Sequence, residues 1–291
     1  MNMRAILIAG PTASGKSSLG LALAQKHHGT IINADSMQVY RDLRILSARP
    51  SMDEESLVPH LLQGHVDGAV NYSVGQWLQD FETAFSEVLK LGRLPIVVGG
   101  TGMYFKALTQ GLSEIPAISD EVRARVRHEG EGVDPADLHA RLARLDPVMA
   151  ARLRPTDPQR ILRALEVFTQ TGRSLASFQA QKRPPMLDLG ACQAMFLSPA
   201  REVLAQNINQ RFDAMVAHGA LAEVTQLAGR GLDDKLPVMR ALGVPQFMAH
   251  LRGEIDLPAA IERAKADTRA YARRQFTFAR HQLPGFVPFS P

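Results

Sequence analysis

The sequence predicts an α/β fold in which a parallel sheet flanked by helices carries an inserted all-helical segment. Three observations lead to this class. Short apolar runs alternate with helix-forming stretches over the first 110 residues, and a glycine-rich loop joins the first run to the first helix. Helices with proline-marked starts then dominate from about residue 112 to residue 190. Such alternation indicates a parallel sheet whose ligands lie at the carboxyl ends of its strands.

The first part of the chain supplies three strands and two clear helices. Residues 5–9 form an apolar strand, a helix follows over residues 15–28, and residues 30–33 form a second strand. Ser73 and Gln76 have the spacing of a capping box and open a helix with apolar residues at i, i+4 spacing. Residues 94–98 form a buried strand that ends in Gly99-Gly100-Thr101-Gly102. The glycine-rich loop, Asp35 and Thr101 therefore all follow strands, and we expect them to share one site.

The second part begins with a helical insertion. Asp134-Pro135, Asp146-Pro147 and Asp157-Pro158 each place a capping acid before a proline at the first helical position, and Gly172 ends the last of these helices. Residues 192–197 form a strand that returns to the sheet, Ser198-Pro199 starts another helix, and residues 258–281 form one long helix before a proline-rich end. We predict an α/β core of residues 1–112 and 191–291, with residues 113–190 inserted.

The glycine-rich loop is a phosphate-binding motif in its required setting. Residues 10–17 read GPTASGKS, which matches G-x-x-x-x-G-K-[ST] between a strand and a helix. Backbone N–H groups and the positive end of the helix converge on phosphate oxygens there, and the serine hydroxyl would ligate Mg²⁺. The predicted diphosphate-binding residues are Gly10, Pro11, Thr12, Ala13, Ser14, Gly15, Lys16 and Ser17, with Ser17 as the metal ligand. A chance turn is the alternative, and the agreement of motif and context argues against it.

Composition excludes several classes of protein. The 291 residues are 45% hydrophobic and 21% charged, as in ordinary globular proteins. No apolar stretch approaches the roughly 20 residues of a membrane helix. The single cysteine, Cys192, excludes internal disulfides and a cysteine-rich zinc site, and the N-terminus is too short for a signal peptide. We therefore expect a cytosolic protein without a membrane partner, and its net charge of +4 mildly favours an anionic one.

The loop alone does not identify the reaction. Most chains that carry it are NTPases or small-molecule kinases, which hold Mg²⁺ with a second acid at the end of a buried strand. Here that strand ends in Val97-Val98-Gly99-Gly100, without a carboxylate. The acid in this region is Asp35, within INADSMQVYRDL.

Six blocks of sequence together resemble one family. They read GPTASGKS, INADSMQVYRDLRILSARPS, PIVVGGTGMYFKALTQGL, DPQRILRALEV, INQRFDAMVAHGALAEV and TRAYARRQFTFAR. In this order they resemble the tRNA dimethylallyltransferase (isopentenyltransferase) family, of the bacterial type, over essentially the whole chain. The resemblance implies a P-loop NTPase-like core with an inserted helical tRNA-binding domain.

The same resemblance implies an activity. A dimethylallyl group would pass from dimethylallyl diphosphate to the exocyclic amine of the adenine 3′ of the tRNA anticodon, with release of diphosphate, Mg²⁺ as cofactor and no protein partner. It also accounts for the missing acid, because the loop would grip a leaving diphosphate and activate neither water nor a γ-phosphate.

Three residues match the family's reaction centre. Asp35 would remove a proton from the adenine amine, although an aspartate after a strand also caps turns. Thr101 would hydrogen-bond near the bridging oxygen or the amine, and its alternative is a turn threonine that satisfies local backbone. Arg211 would reach the diphosphate from the opposite side, and its alternative is a surface salt bridge to a neighbour such as Asp213.

The tRNA contacts of the family match two short runs and several single residues. The implied set is Ser36, Met37, Gln38, Thr101, Arg123, Gln159, Arg160, Ile161, Leu162, Arg163, Arg240, Gly243 and Gln246. On a helix that begins at Pro158, Gln159 and Arg163 lie one turn apart and form a basic edge with Arg160. A solvated helix face is the alternative for each arginine.

The chain also departs from the family. The family commonly reads R-x-x-G-Y-R-Q where residues 240–246 read RALGVPQ, so an aromatic and an arginine are missing. The family's paired histidine is reduced to Pro59-His60-Leu61, and Phe278 stands where tryptophan is usual.

Other activities remain open from the residues. They are a prenyltransferase acting on free AMP or ADP, a P-loop small-molecule kinase, and a non-catalytic nucleotide-dependent RNA-binding switch. The helical insertion and basic tail argue against a mononucleotide acceptor, which needs no such surface.

Overall fold

A parallel sheet forms the centre of the protein in a computed structural model, which describes residues 3–290. Within these residues the sheet has six strands: β1 (Ala5–Ala9), β2 (Gly29–Asn33), β3 (His60–Leu61), β4 (Leu94–Gly99), β5 (Cys192–Leu197) and β6 (Val287–Phe289). All neighbouring strands are parallel, in the order β3-β2-β4-β1-β5-β6. The predicted α/β class is confirmed.

Thirteen α-helices accompany the sheet within the described residues. They are α1 (Lys16–Lys26), α2 (Met52–Leu57), α3 (Val74–Lys90), α4 (Gly102–Gln110), α5 (Asp120–Glu129), α6 (Pro135–Leu145), α7 (Pro147–Ala150), α8 (Pro158–Thr171), α9 (Leu175–Gln179), α10 (Arg201–Ala217), α11 (Ala220–Gly229), α12 (Val244–Leu251) and α13 (Leu257–Gln282). Short 3-10 helices cover Leu189–Ala191 and Pro237–Arg240. Among the residues described, no helix has both the length and the apolarity needed to cross a membrane.

The central strand β1 is buried on both faces. Leu7 points into one apolar cluster, which contains Trp77 and Phe81 of α3, whereas Ile6 and Ile8 point into a second cluster on the other face. Side chains of a strand alternate between its two faces, so helices must cover both faces of a strand that is apolar throughout. This requirement is what makes the core a three-layer α/β structure.

Local end signals set most helix boundaries. The capping box of Ser73 and Gln76 is formed at the start of α3, and Asp134, Asp146 and Asp157 cap α6, α7 and α8 as predicted. Gly172 ends α8 in the left-handed conformation. Two expectations need correction. The helix expected from Ser198-Pro199 begins at Arg201 because Ala200 is its N-cap, and the proline-rich end contains the short strand β6.

The described chain divides into two compact units. The larger unit holds the sheet and comprises the residues up to Thr109 and those from Met186 onward, and the smaller one is Gln110–Pro185. The smaller unit contains α5 to α9 and has an apolar core of its own, which includes Leu138, Leu142 and Ile161. The sequence places the insertion at residues 113–190, a few residues further along the chain at each end.

The single tryptophan packs beneath the end of β2. Trp77 is fully buried, and its indole stacks on the Tyr104 ring of α4 with centroids 4.0 Å apart. Its Nε1–H donates to the carbonyl oxygen of Asn33 at 3.1 Å. The hydrogen bond and the stack together fix α3 and α4 against the residues that lead into Asp35.

Candidate active site

The carboxyl ends of three adjacent strands carry the candidate site. Strand β1 leads into the phosphate loop, β2 leads into Ala34 and Asp35, and β4 leads into Gly100 and Thr101. Parallel pairing aligns these ends, with Ala9 opposite Gly99 and Asn33 opposite Val98. The Thr101 N–H donates to the Ala34 carbonyl at 3.1 Å, which joins the β2 and β4 loops directly. The structure therefore brings together the loop, Asp35 and Thr101.

The phosphate loop wraps around the start of α1. Gly15 is its N-cap with φ +85°, a left-handed conformation that favours glycine. The buried Lys16 ammonium donates to the Pro11 carbonyl at 3.2 Å. Burial lowers the pKa of Lys16 from 10.5 to about 8, although Asp35 opposes the shift and Arg211 adds to it. The ammonium is thus held close to the loop with much of its hydration removed, which suits it to an anionic ligand.

Asp35 has a structural contact on one oxygen. Its Oδ1 accepts from the Met37 N–H at 3.0 Å, so the turn-capping alternative describes part of what this residue does. Its Oδ2 lies beside Gly100, where a Cβ would stand only 3.2 Å from it. Asp35 also lines a cavity, which leaves this carboxylate within reach of a ligand.

Thr101 contacts Ser36 across the two loops. Its Oγ1 accepts from the Ser36 N–H at 2.9 Å and donates to the Ser36 Oγ at 3.1 Å. Tyr271 of α13 also hydrogen-bonds Thr101, and burial together with the Asp35 charge raises the pKa of the Tyr271 phenol. Thr101 therefore links Ser36, a predicted tRNA contact, to a neutral phenol beside Asp35.

Helix α10 closes the phosphate loop from the other side. The Arg211 guanidinium hydrogen-bonds the Thr12 hydroxyl, and Asn207 Nδ2 donates to the Ala13 carbonyl at 3.4 Å. Burial lowers the pKa of Arg211, and the Asp35 charge opposes that shift. The alternative pairing of Arg211 with Asp213 is wrong, because Asp213 contacts Lys265 at 2.7 Å.

Two cavities meet at Arg211. The larger, about 620 Å³, is lined mainly by polar residues and by the phosphate loop from Ala13 to Ser17. The smaller, about 60 Å³, contains Asp35 and apolar side chains such as Leu46, Ile208 and Phe212. Arg211 lines both, so an anionic group bound at the phosphate loop would lie next to the cavity that Asp35 lines.

The residues of the larger cavity fit a Mg²⁺ ion that takes most of its ligands from a bound phosphate and from water. Ser17 is exposed in the larger cavity, and no group of three or more His, Cys, Asp or Glu side chains suited to a metal occurs in the part of the chain that the structure describes. Mg²⁺ is often held by phosphate oxygens and water with only one or two protein ligands. A bound diphosphate with the Ser17 hydroxyl would supply such a set.

The predicted tRNA contacts of the helical unit differ in accessibility. Arg160 is 75% exposed at its side chain and lies 3.4 Å from Asp157, whereas Arg163 contacts the buried Glu166 at 3.3 Å. Arg123 pairs with Asp120 at 2.7 Å. Gln159 is exposed, Leu162 is partly buried and Ile161 is fully buried. The Ile161 side chain therefore packs in the core of this unit and is not available at its surface.

Residues 240–246 lie in the larger unit. Arg240 is exposed. Gly243 precedes α12 with φ +92°, and a Cβ at this position would lie 3.0 Å from Leu46 and 3.3 Å from Phe212. Gln246 Nε2 donates to Asp267 at 2.6 Å, and Val244 is fully buried. Valine and proline thus stand here as packing and helix-start residues.

Sequence reasoning missed two residues of α13, Tyr271 and Gln275. Gln275 contacts the phosphate loop and the Gly100 carbonyl, and Tyr271 contacts Thr101. In the sequence, this helix stands out for its basic residues and for its resemblance to the family, and neither feature indicates these contacts. A glutamine on the buried side of a helix is the available signal, and it gives no indication of its partners.

This sheet, its phosphate loop and the cavity beside that loop define a P-loop α/β protein with a candidate phosphate-binding site. Family models match almost the entire chain: "IPP transferase" over residues 38–282 and "Isopentenyl transferase" over residues 3–58. The chain belongs to the IPP transferase family, whose members are prenyltransferases.

Relatives and solved structures agree with this family. The tRNA dimethylallyltransferase of Methylocella silvestris is 63% identical over 99% of this chain and 95% of its own, and that of Beijerinckia indica is 57% identical over the same shares. A tRNA isopentenylpyrophosphate transferase from Bacillus halodurans is 32% identical, with a TM-score of 0.70, over 99% of this chain and 90% of that one. A eukaryotic dimethylallyltransferase acting on tRNA gives a TM-score of 0.80 at 30% identity, over 98% and 73%.

Proposed function

We propose that this chain transfers a dimethylallyl group from dimethylallyl diphosphate to the exocyclic amine of the adenine 3′ of the anticodon in tRNA, and releases diphosphate. The observation that carries the proposal is the pair of cavities that share Arg211, one with the phosphate loop and one with Asp35. In dimethylallyl diphosphate, one C–O bond joins the allyl group to the diphosphate. With the diphosphate at the phosphate loop and the allyl group toward Asp35, that bond would lie beside Arg211, where the two cavities meet.

The chemistry is a displacement at carbon. The adenine nitrogen bonds to C1 of the allyl group while the C1–O bond breaks, and the electron pair of that bond leaves with the diphosphate. Negative charge grows on the leaving oxygen, so Lys16, Arg211 and the loop N–H groups stabilise the transition state more than the ground state. One well-placed donor of this kind contributes about 2.7–4 kcal/mol.

Asp35 takes the proton that the amine loses. The amine becomes acidic only as it bonds to carbon, so a carboxylate of modest basicity is sufficient when it lies within hydrogen-bond reach. Its Oδ2 lies beside Gly100 and Asp35 lines the smaller cavity, which supports this role, while the Met37 N–H donates to the other oxygen. Thr101 would orient the amine or the bridging oxygen.

Mg²⁺ bound to diphosphate oxygens and Ser17 would neutralise further charge on the leaving group. The acceptor adenine must be splayed out of the anticodon loop to reach Asp35, since a stacked base presents no amine to a recessed carboxylate. The exposed Arg160 side chain of α8 supports a contact with tRNA phosphates.

The test uses dimethylallyl diphosphate labelled in its allyl group, with Mg²⁺ and unmodified tRNA as acceptor. We expect label in the tRNA at the adenine 3′ of the anticodon, and none with a tRNA that carries another base there. Label in AMP or ADP would indicate the mononucleotide prenyltransferase. Phosphoryl transfer from ATP would indicate the kinase, and RNA binding without turnover would indicate the non-catalytic switch.

A further inference from the structure

We propose that Gln275 is a positioning residue that ties the phosphate loop to the turn bearing Thr101 and so sets the donor carbon against the acceptor amine. This inference rests on the proposed function where its test measures the rate of prenyl transfer. The two hydrogen bonds of Gln275 can be tested whether or not the protein transfers a prenyl group.

Both ends of the Gln275 amide are used, each on a different part of the site. Oε1 accepts from the Thr12 N–H at 3.0 Å, within the phosphate loop. Nε2 donates to the Gly100 carbonyl at 2.8 Å, next to Thr101. Gln275 is only 8% exposed, so α13 delivers one buried amide between two loops that are distant in sequence.

The pairing fixes the orientation of this amide. A flipped side chain would set a donor against the Thr12 N–H and an acceptor against the Gly100 carbonyl, and both contacts would be lost. An apolar side chain at position 275 would leave the Thr12 N–H and the Gly100 carbonyl without this partner. Because an unsatisfied buried polar group costs free energy, the two loops would shift to find other partners. Only a side chain with a donor and an acceptor at this length holds the two together.

The close approach at Gly100 supports this role. A Cβ there would lie 2.5 Å from Gln275 Nε2 and 3.2 Å from Asp35 Oδ2. The absence of a side chain at this position lets the amide and the carboxylate flank the same Cα. Gln275 therefore lies beside the predicted base as well as beside the loop.

The two loops that Gln275 joins also contact the predicted catalytic residues. Thr12 also bonds Arg211, and Thr101 bonds Ser36 and the Ala34 carbonyl that precedes Asp35. A small displacement of the phosphate loop relative to these residues would misalign carbon and nitrogen, and a misplacement near 1 Å can cost about 100-fold in rate.

The main test is Gln275→Met, which keeps side-chain length and removes both hydrogen bonds. We expect the single-turnover rate at saturating donor to fall about 10- to 100-fold. Affinity for inorganic pyrophosphate with Mg²⁺, measured by calorimetry, should change less than about threefold, because Lys16 and the loop N–H groups remain. Gln282→Met is the matched control, since Gln282 also bonds another helix from α13, through Lys106, away from the phosphate loop.

A second variant, Gln275→Glu, separates the two contacts of the amide. It keeps an acceptor for the Thr12 N–H and loses the donor to the Gly100 carbonyl. We therefore expect the single-turnover rate to fall about 10- to 100-fold, as in Gln275→Met, while hydrogen exchange at the Thr12 amide stays within about threefold of wild type. A residue that only packs would show no such separation of the two readouts.

A readout independent of catalysis completes the test. Hydrogen exchange at the Thr12 amide should accelerate at least about tenfold in folded Gln275→Met relative to Gln282→Met, because the amide loses its partner. Unchanged exchange overturns the inference even if the wild-type protein transfers no prenyl group, a result that would separately remove the proposed function. A full single-turnover rate in Gln275→Met would also overturn it.

Discussion

One carboxylate oxygen of Asp35 accepts from the Met37 N–H, and the other is the predicted proton acceptor. Two substitutions can separate these roles. Asp35→Asn keeps an oxygen for the Met37 N–H but cannot accept a proton, whereas Asp35→Ala loses both functions. We expect both variants to lower turnover by roughly 10²–10⁴-fold, the scale of general-base catalysis, with pyrophosphate affinity little changed. Near-normal turnover in Asp35→Asn, measured under the same conditions, would assign Asp35 to the turn alone.

The buried charge of Lys16 lowers the free energy of unfolding of the unliganded protein, and the same charge would bind an anionic ligand. Its pKa falls to about 8 in the folded state from 10.5, and one unit corresponds to about 1.4 kcal/mol. Lys16→Met should therefore raise the stability of the unliganded protein by about 1–3 kcal/mol at neutral pH, and should abolish pyrophosphate binding. Denaturant unfolding and calorimetry on the same samples measure the two effects.

The pH dependence of this effect has a definite sign. Between about pH 8 and pH 10.5 the unfolded chain retains the Lys16 proton that the folded chain has released, so wild-type stability gains from this group as pH rises. The advantage of Lys16→Met should narrow across that window. A difference that stays constant from pH 7 to pH 10 would contradict the burial of a charged Lys16.

At the scale of elements, α11 anchors the loop that follows Asp35. The Glu223 carboxylate accepts from three successive N–H groups, those of Arg44 at 2.5 Å, Ile45 at 2.7 Å and Leu46 at 2.9 Å. Leu46 lines the smaller cavity, so this contact shapes the compartment of Asp35. We expect Glu223→Ala to lower the free energy of unfolding by about 2–4 kcal/mol, since hydrogen bonds to charged groups contribute about 1.5–3 kcal/mol each.

Urea unfolding of Glu223→Ala measures this loss. Glu82→Ala, at an exposed position of α3, is the control and should stay within about 0.5 kcal/mol of wild type. Equal stability of the two variants would show that the three N–H groups find other partners in the absence of Glu223.

Elements with signals in adjacent residues could be predicted from the sequence. The phosphate loop, the capping box at Ser73 and the Asp-Pro helix starts depend on residues within one turn of each other, and the structure has each of them. The edge strands β3 and β6 are two and three residues long, too short for a periodic pattern. Their pairing depends on the neighbouring strand rather than on their own composition.

Long-range contacts of the site could not be predicted in this way. Their positions directly after strands predicted that Asp35 and Thr101 share one site. The partners of Gln275, however, are 263 and 175 residues away, and those of Glu223 are 177 to 179 residues away. Glu166 similarly has a local partner in Arg163, three residues earlier on α8, but its second partner, Arg127, comes from α5 and is 39 residues away. Such pairings arise from the tertiary fold, which local propensity does not encode.

For the whole molecule, the distribution of charge predicts how binding responds to salt. Arg160→Ala should reduce the slope of log affinity for tRNA against log salt by about 0.7–0.9, the value for one phosphate contact, because its side chain is exposed. Arg163→Ala should change the slope less and lower thermal stability instead, since it leaves the buried Glu166 with Arg127 alone as its ion-pair partner. Fluorescence anisotropy at several salt concentrations and thermal denaturation measure these two results.

An equal loss of slope in both variants would indicate that Arg163 leaves Glu166 when tRNA binds. Identical slopes in wild type and Arg160→Ala would place the phosphate contacts on other residues. Arg252, which pairs with Glu254 at the surface of the larger unit, provides the matched control as Arg252→Ala.

The stacked indole beneath β2 gives the protein a built-in optical probe. Trp77 is the chain's single tryptophan, and its N–H bonds the Asn33 carbonyl two residues before the predicted base. Its emission, excited selectively, therefore reports on one location only. Any ligand that shifts the Asn33–Asp35 backbone should alter the intensity or wavelength of that emission, so occupancy of the smaller cavity, which Asp35 lines, can be followed in real time without a dye.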